Sequence, residues 1–281
     1  MLSVLQTVRQ TMLKRCKQPL STLLIAVSVL FSSVSFAQDL HQPWQALLSQ
    51  HVKSINNDHS TAVDYAGFKK EEVKLNNYLT SLSNIDQSTF EQWSNAKQLA
   101  FLINAYNAWT VSLILTEYPD LKSIKDLGSL FSSPWSKEFV SLLGKKRSLD
   151  EVEHELIRGS GNYPDPRIHF AVNCASIGCP ALRGEAYTEG KLEQQLQQQT
   201  IRFLSDESRN KLTTKELQIS SIFKWYGGDF EKDFRGTNSL TSFILLYSDV
   251  LNLTETQQKL LKTNQVDIDF LDYNWDLNAA R

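Results

Sequence analysis

Apolar positions in this chain recur with three different rhythms, and each predicts a different kind of element. The densest is NAKQLAFLINAYNAWTVSLILTEYP at 95–119, with no Gly or Pro before Pro119 and apolar side chains on almost every face. A helix that is hydrophobic all round belongs in the interior. The pattern therefore predicts a buried central helix over about 95–118, stopped by Pro119. Its polar interruptions are Gln98, Asn104 and Asn107, the last two three residues apart and so on one side. A buried amide without a partner costs about 1–3 kcal/mol. Asn104 and Asn107 either tie the helix to neighbouring backbone or face a ligand.

Looser helical spacing recurs at 42–56 (Trp44, Leu47, Leu48, Val52, Ile55), at 69–82 (Val73, Leu75, Leu79, Leu82), at 189–205 (Leu192, Leu196, Ile201, Leu204) and near 239–251. At 148–151 the run Ser-Leu-Asp-Glu has the form of a capping box. It heads the helix LDEVEHELIR, in which Val152, Leu156 and Ile157 point inward and His154 sits on a partly polar face. The third rhythm is alternation. Residues 167–173 set Ile168, Phe170 and Val172 against His169, Ala171 and Asn173, as a strand would. Segments 139–143 and 145–149 around Gly144 read as a hairpin, 211–226 as a hairpin-like pair ending in SIFKWY, and 266–270 as a short strand. This irregular order lacks a βαβ rhythm and predicts an α+β fold. The expected architecture is a single domain with the central helix packed on a small, mainly antiparallel sheet.

The first 37 residues change the picture. Arg9, Lys14, Arg15 and Lys17, with no acid among them, precede an apolar run at 20–31 and small residues at Ser35 and Ala37. That is the form of a secretory signal peptide, and the run falls short of the roughly 20 residues a spanning helix needs. The alternative is an uncleaved N-terminal anchor. Cleavage after Ala37 removes four of 29 basic residues and none of 31 acids, leaving 25 against 31 and a net charge of −6. Such mild acidity argues against nucleic acid as a partner. The expectation is an exported protein, periplasmic or secreted, with no membrane span after cleavage. Residues 38–59 then form an N-terminal helical segment and 60–278 the main domain. His41, His51 and His59 fall in or near that first segment and are read as surface residues.

Four segments, AFLINAYNAWTV (100–111), RIHFAVNCASIGCPAL (167–182), SIFKWYGGDF (221–230) and LDYNWDLN (271–278), follow one another in a characteristic order, with SLDEVEHELIR just ahead of the second. In order and spacing they resemble the bacterial and plant family catalogued as domain of unknown function 547, over roughly 60–278, and the leader marks an exported bacterial member. The motif positions carried over are Asn104, Tyr106, Asn107, His154, His169, Cys174, Ser176, Cys179 and Pro180. Lys224, Trp225, Tyr226, Asp229, Phe230, Asp272, Tyr273 and Trp275 complete them. Gly227-Gly228 departs from the bulkier or charged residues expected there, which loosens the placement of Asp229. The resemblance implies membership and no particular reaction.

The chemistry concentrates in HFAVNCASIGCP at 169–180. Export makes Cys174 and Cys179 a disulfide candidate, since Cys16 leaves with the leader. A nucleophilic Cys174 is the competing reading, because a thiol locked in a disulfide cannot attack. It needs a base within reach. On a strand His169 and Cys174 point to opposite faces, so His154 is at least as good a base, with Asp229 or Asp272 orienting the imidazole and the backbone amides of 175–178 as oxyanion hole. The spacing His169-x4-Cys174-x4-Cys179 permits a zinc knuckle only if His169 turns back, so no metal is assigned. Glycine spacing gives no nucleotide fingerprint and no cofactor is assigned. Candidate catalytic residues are thus Cys174, His154, His169 and Asp229. Candidate ligand contacts, for a small molecule or peptide, are Asn104, Asn107, Asn173, Lys224 and Tyr226. Two functions stay open: a cysteine- and histidine-dependent hydrolase or acyl transferase, and a non-catalytic binding or envelope-associated module with a structural Cys174–Cys179 bridge. No protein partner is legible.

Overall fold

Ser94 starts the central helix by accepting the N–H of Lys97 on its side chain, and Asn95–Leu115 (α5) follows without a break. Most of its side chains are buried, Asn104 and Asn107 among them. The helix is long and apolar enough to cross a membrane, but its composition is accounted for by burial inside the domain. The computed structural model describes residues 39–129, 132–213 and 216–280, all within one unit. The leader read at 1–37 lies outside the described residues.

Around α5 lie α1 (Gln42–His51), α2 (Tyr65–Lys70), α3 (Glu72–Ser83) and α4 (Gln87–Glu91). The helix expected over 42–56 ends at His51. Val52–Ile55 (β1) instead pairs antiparallel with Ser60–Val63 (β2), Val52 opposite Val63. Asn56, Asn57 and Asp58 make the reversal with positive φ, a conformation these short polar side chains tolerate. Ile55 is left exposed. The helix expected over 69–82 is interrupted at Glu71, because Asp64 caps an earlier turn by accepting the N–H of Gly67. Val73 consequently faces solvent. His41 and His51 are not surface residues: His41 is buried against the Tyr78 hydroxyl at 2.8 Å, and His51 meets Glu71 at 2.9 Å.

The hairpin at 140–147 forms as expected, with Val140–Leu142 (β3) antiparallel to Lys145–Arg147 (β4). The capping box is reciprocal: Ser148 N–H donates to Glu151 Oε2 at 2.6 Å and Glu151 N–H to Ser148 Oγ at 3.1 Å. Beyond the cap the chain winds as a π-helix over Glu151–Arg158. After α6 (Leu192–Leu204) come β5 (Lys211–Leu212) and β6 (Glu216–Ser220), short helices α7 (Ile222–Trp225), α8 (Gly227–Phe230), α9 (Leu240–Leu245) and α10 (Glu255–Lys262), then β7 (Asp267–Leu271). β6 pairs antiparallel with β5 and parallel with β7. SIFKWY is therefore a helical turn that follows strand β6, not the end of a strand. On α6 Phe203 is buried while Ile201 is exposed.

Two hydrophobic clusters result. One surrounds α5; the other gathers Phe170, Phe203, Phe223, Phe230 and Phe243. Ile168 belongs to the first and Phe170 to the second, so His169 lies at their seam.

Candidate functional site

Residues 167–173 do not form the expected strand. Pro166 opens a 3-10 turn, Pro166–Phe170, which Asp165 caps by accepting the N–H of Arg167. All the side chains from Pro166 to Ala171 are buried, so the apolar alternation marks no exposed face. The turn changes the outlook for His169. Its Nε2 lies 2.8 Å from Asp229 Oδ2, and the Tyr226 ring stacks on it with centroids 4.0 Å apart. Asp229 also accepts from Arg158 Nε at 2.6 Å and Lys232 Nζ at 2.8 Å. Burial alone would raise the Asp229 carboxyl, but these three donors together hold it well below the usual carboxylate range. Burial lowers the pKa of His169 despite Asp229, keeping the imidazole neutral. An ionised carboxylate only accepts, so Nε2 carries the hydrogen and Nδ1 is a lone-pair acceptor.

Cys174 and Cys179 are joined in a disulfide. Cys174 Sγ lies 3.1 Å from the Tyr273 hydroxyl and 3.2 Å from Ser176 Oγ, and its hydrogen-bond partners include no imidazole. Three of the four loop amides expected as an oxyanion hole are taken. Ala175 N–H donates to Asn173 Oδ1, Ile177 N–H to Asp276 O and Gly178 N–H to Asn274 O. Burial pushes the Tyr273 hydroxyl up to about 12. Arg209, not singled out in the sequence, clamps the loop from the far side by donating to Cys179 O and Ile177 O.

The other expected residues divide between the site and its frame. Asn104 exchanges both hydrogen bonds of its amide with the backbone of Tyr187, at 2.8 and 2.9 Å. Asn107 donates to Ala171 O at 3.0 Å and accepts the N–H of Asn173 at 2.8 Å. Asn173 in turn donates to Pro180 O at 2.7 Å. These amides tie α5 to the histidine turn and the cystine loop. Lys224 is exposed on α7. His154 is also exposed, and Arg158 donates to its Nδ1 at 2.7 Å.

Cys174, Cys179, His154, His169 and Tyr226 do meet, on a pocket of about 190 Å³. They share it with Tyr106, Glu153, Trp225, Tyr273 and Trp275. Glu153 is the residue that the sequence reading missed. The wider i→i+5 winding of the π-helix stacks residues five apart. Val152 and Ile157 share the buried side, and Glu153 is carried inward beside them, 7% exposed. Its carboxylate adds to burial in raising the hydroxyls of Tyr106 and Tyr226. Glu153 Oε1 and His169 Nδ1 are both buried with no hydrogen-bond partner. The available signal was an acid next to an inward-facing valine. Among the described residues no group of three or more His, Cys, Asp or Glu side chains is placed to hold a metal ion.

Residues 90–204 match the family described as "Protein of unknown function, DUF547", a stretch that holds α5, the π-helix, the histidine turn and the cystine loop. No curated protein matches the chain, and no solved structure does.

Proposed function

We propose that this chain, which belongs to the DUF547 family, is a small-ligand-binding protein whose cystine loop is scaffold. One observation carries the reading: Glu153 Oε1 and His169 Nδ1 are both buried and unpaired, and both residues line the same pocket. Buried polar atoms are nearly always satisfied, by protein, water or ligand. Two unsatisfied acceptors on one aromatic pocket mark a place where an incoming group completes the hydrogen bonds. The disulfide supports a structural role for the loop, three of whose amides are already engaged. A screen of polar fragments by NMR should return binders that shift the Trp225 indole signal, in the protein and in its Cys174→Ser/Cys179→Ser variant alike. Binders that all leave Trp225 and Tyr226 undisturbed would overturn the reading.

We also place the protein outside the cytoplasm. The leader-like first 37 residues and the disulfide both support export. Fractionation of the native host that finds the chain only in the cytoplasm, at full length and reduced, would refute it.

A second reading, a hydrolase or acyl transferase, is favoured by the Asp229–His169 pair, which has the form of an oriented general base. In that reading a dithiol reductant supplies two electrons to open the S–S bond, giving two thiols, and His169 takes the proton of Cys174. Alkylation of reduced Cys174 at neutral pH should then be fast and should slow on His169→Ala. A rate equal to that of a simple thiol in both forms would exclude it.

A further inference from the structure

We propose that the ligand taken by this pocket is a small organic cation of the primary alkylammonium class, with Glu153 as its counter-charge. The inference rests on the ligand-pocket reading above and adds the sign of the ligand's charge and the type of its polar group.

Charge comes first. The pocket is lined by two carboxylates, Asp150 and Glu153, and two imidazoles, and by no lysine or arginine. The basic groups nearby are committed elsewhere. Arg158 is bound to Asp229 and His154, and Lys232 to Asp229. Lys125 lies over the Trp275 ring. The Glu153 carboxylate interacts with the hydroxyls of Tyr106 and Tyr226, but one of its oxygens has no partner and no cation is paired with it. A buried charge without a counter-charge is far more costly than an unpaired neutral group. A cation relieves that cost, a neutral donor relieves part of it, and an anion adds to it.

Hydrogen-bond polarity points the same way. Both unsatisfied atoms, a carboxylate oxygen and an imidazole lone pair, are acceptors. An ammonium brings three donors and no acceptor, so it completes both and has one donor to spare. Much of the remaining lining is aromatic. Tyr226 is already taken, stacked on His169 with the Arg158 guanidinium 4.8 Å from its ring centroid, while Trp225, Tyr273 and Trp275 present π surfaces that attract cations. Trp275 already holds one, with Lys125 Nζ 3.7 Å from its ring centroid. At about 190 Å³ the space is below the range of roughly 300–1,000 Å³ usual for drug-sized ligands, which selects a compact head group.

The test is calorimetric titration of the protein with butylammonium, butanol and butyrate at neutral pH and low salt, with the Trp225 indole signal followed in parallel. Butylammonium should bind about tenfold or more tighter than butanol, and butyrate should give no heat. Glu153→Gln keeps the shape and removes the charge, so it should lose about tenfold toward butylammonium and nothing toward butanol. Should that variant melt below the range of the assay, Asp150→Asn at the exposed rim should still weaken the cation about threefold. Equal affinity for butanol and butylammonium, with Trp225 shifted by both, overturns the cation and leaves the pocket standing. Unchanged cation affinity in Glu153→Gln does the same. If no probe of any charge shifts Trp225 or Tyr226, the pocket reading falls and takes this proposal with it.

Discussion

Asp229 Oδ2 accepts the Nε2–H of His169 at 2.8 Å, and that one bond decides which imidazole nitrogen is free for a ligand. Replacing Asp229 by Asn substitutes an amide for the carboxylate that Arg158 and Lys232 also share. Hydrogen bonds to charged groups contribute about 1.5–3 kcal/mol. The expected loss for Asp229→Asn is therefore about 2 kcal/mol in urea unfolding. Nitrogen chemical shifts should show the Nε2–H tautomer of His169 in the parent protein and a mixture in the variant. A parent imidazole protonated at Nδ1 would contradict the assignment.

Two buried histidines make stability fall on acidification. Burial lowers the pKa of His169 and takes that of His41 from 6.5 to about 4. Both folded values lie below the unfolded one, so the unfolded chain gains protons that the folded chain declines. Their contribution is complete above pH 6.5 and erodes below it, by up to about 1.4 kcal/mol per pH unit for each histidine. Glu185, lowered to about 2, acts in the same direction, but its contribution begins to erode only below its ordinary value of 4.5. Between pH 4.5 and 6.5 the falling slope comes from the histidines and is partly opposed by Asp150, whose carboxyl burial raises above its ordinary value. Urea unfolding across that window should show falling stability, with a shallower slope for His41→Gln. A flat or rising profile toward acid would be incompatible with two neutral buried imidazoles.

What could be read in advance depended on whether the signal was local. The buried run of α5, the hairpin around Gly144 and the Ser148 capping box are written in neighbouring residues, and each formed where expected. The histidine turn was misread because alternation predicts a strand only when one face is solvated. Here both faces are buried, between two clusters contributed by distant segments. Glu153 was missed for a different reason: the helical period already sets it between Leu156 and Ile157, on the side expected to face the core, but an acid there carries no apolar signal of burial. The meeting of His169 with Asp229, sixty positions apart, was not legible: Asp229 or Asp272 was expected to orient the imidazole of His154, which instead lies 3.8 Å from Asp150.

The cystine loop should behave as a staple. Closing a loop of about six residues stabilises by roughly 2 kcal/mol in the chain-entropy model. Cys174→Ala/Cys179→Ala should lose about that much in urea unfolding and keep its fragment binding, and the parent should have a mass two protons below the reduced chain. Complete loss of binding with stability unchanged would instead assign the sulfurs to chemistry.

Asn104 and Asn107 should separate stability from binding. Leucine at either position strands one backbone N–H and one C=O, at about 1–3 kcal/mol each. Both variants should therefore unfold about 2–6 kcal/mol more easily. Only Asn107 holds Ala171 and Asn173, which adjoin the pocket-lining Val172 and Cys174. Ligand affinity measured well below the melting temperature should fall in Asn107→Leu and hold in Asn104→Leu. Equal effects on binding would mean that the pocket depends on α5 as a whole and not on this tie.

Gly178 sits directly against the C-terminal tail. A Cβ there would lie 2.9 Å from three atoms of the Tyr273 ring, while the backbone N–H is already bound to Asn274 O at 2.8 Å. The loop therefore cannot retreat, and the ring has to move. Tyr273 also caps Cys174 Sγ at 3.1 Å and packs against Trp225 and Trp275, with centroids 4.8 and 4.5 Å away. Gly178→Ala should accordingly cost about 1–3 kcal/mol through overpacking and shift the indole signals of Trp225 and Trp275 together. Gly178→Ala combined with Tyr273→Ala should recover much of the strain, because the clash has lost its partner. A double variant less stable than the sum of the two single losses would mean that Tyr273 is not what the small residue accommodates.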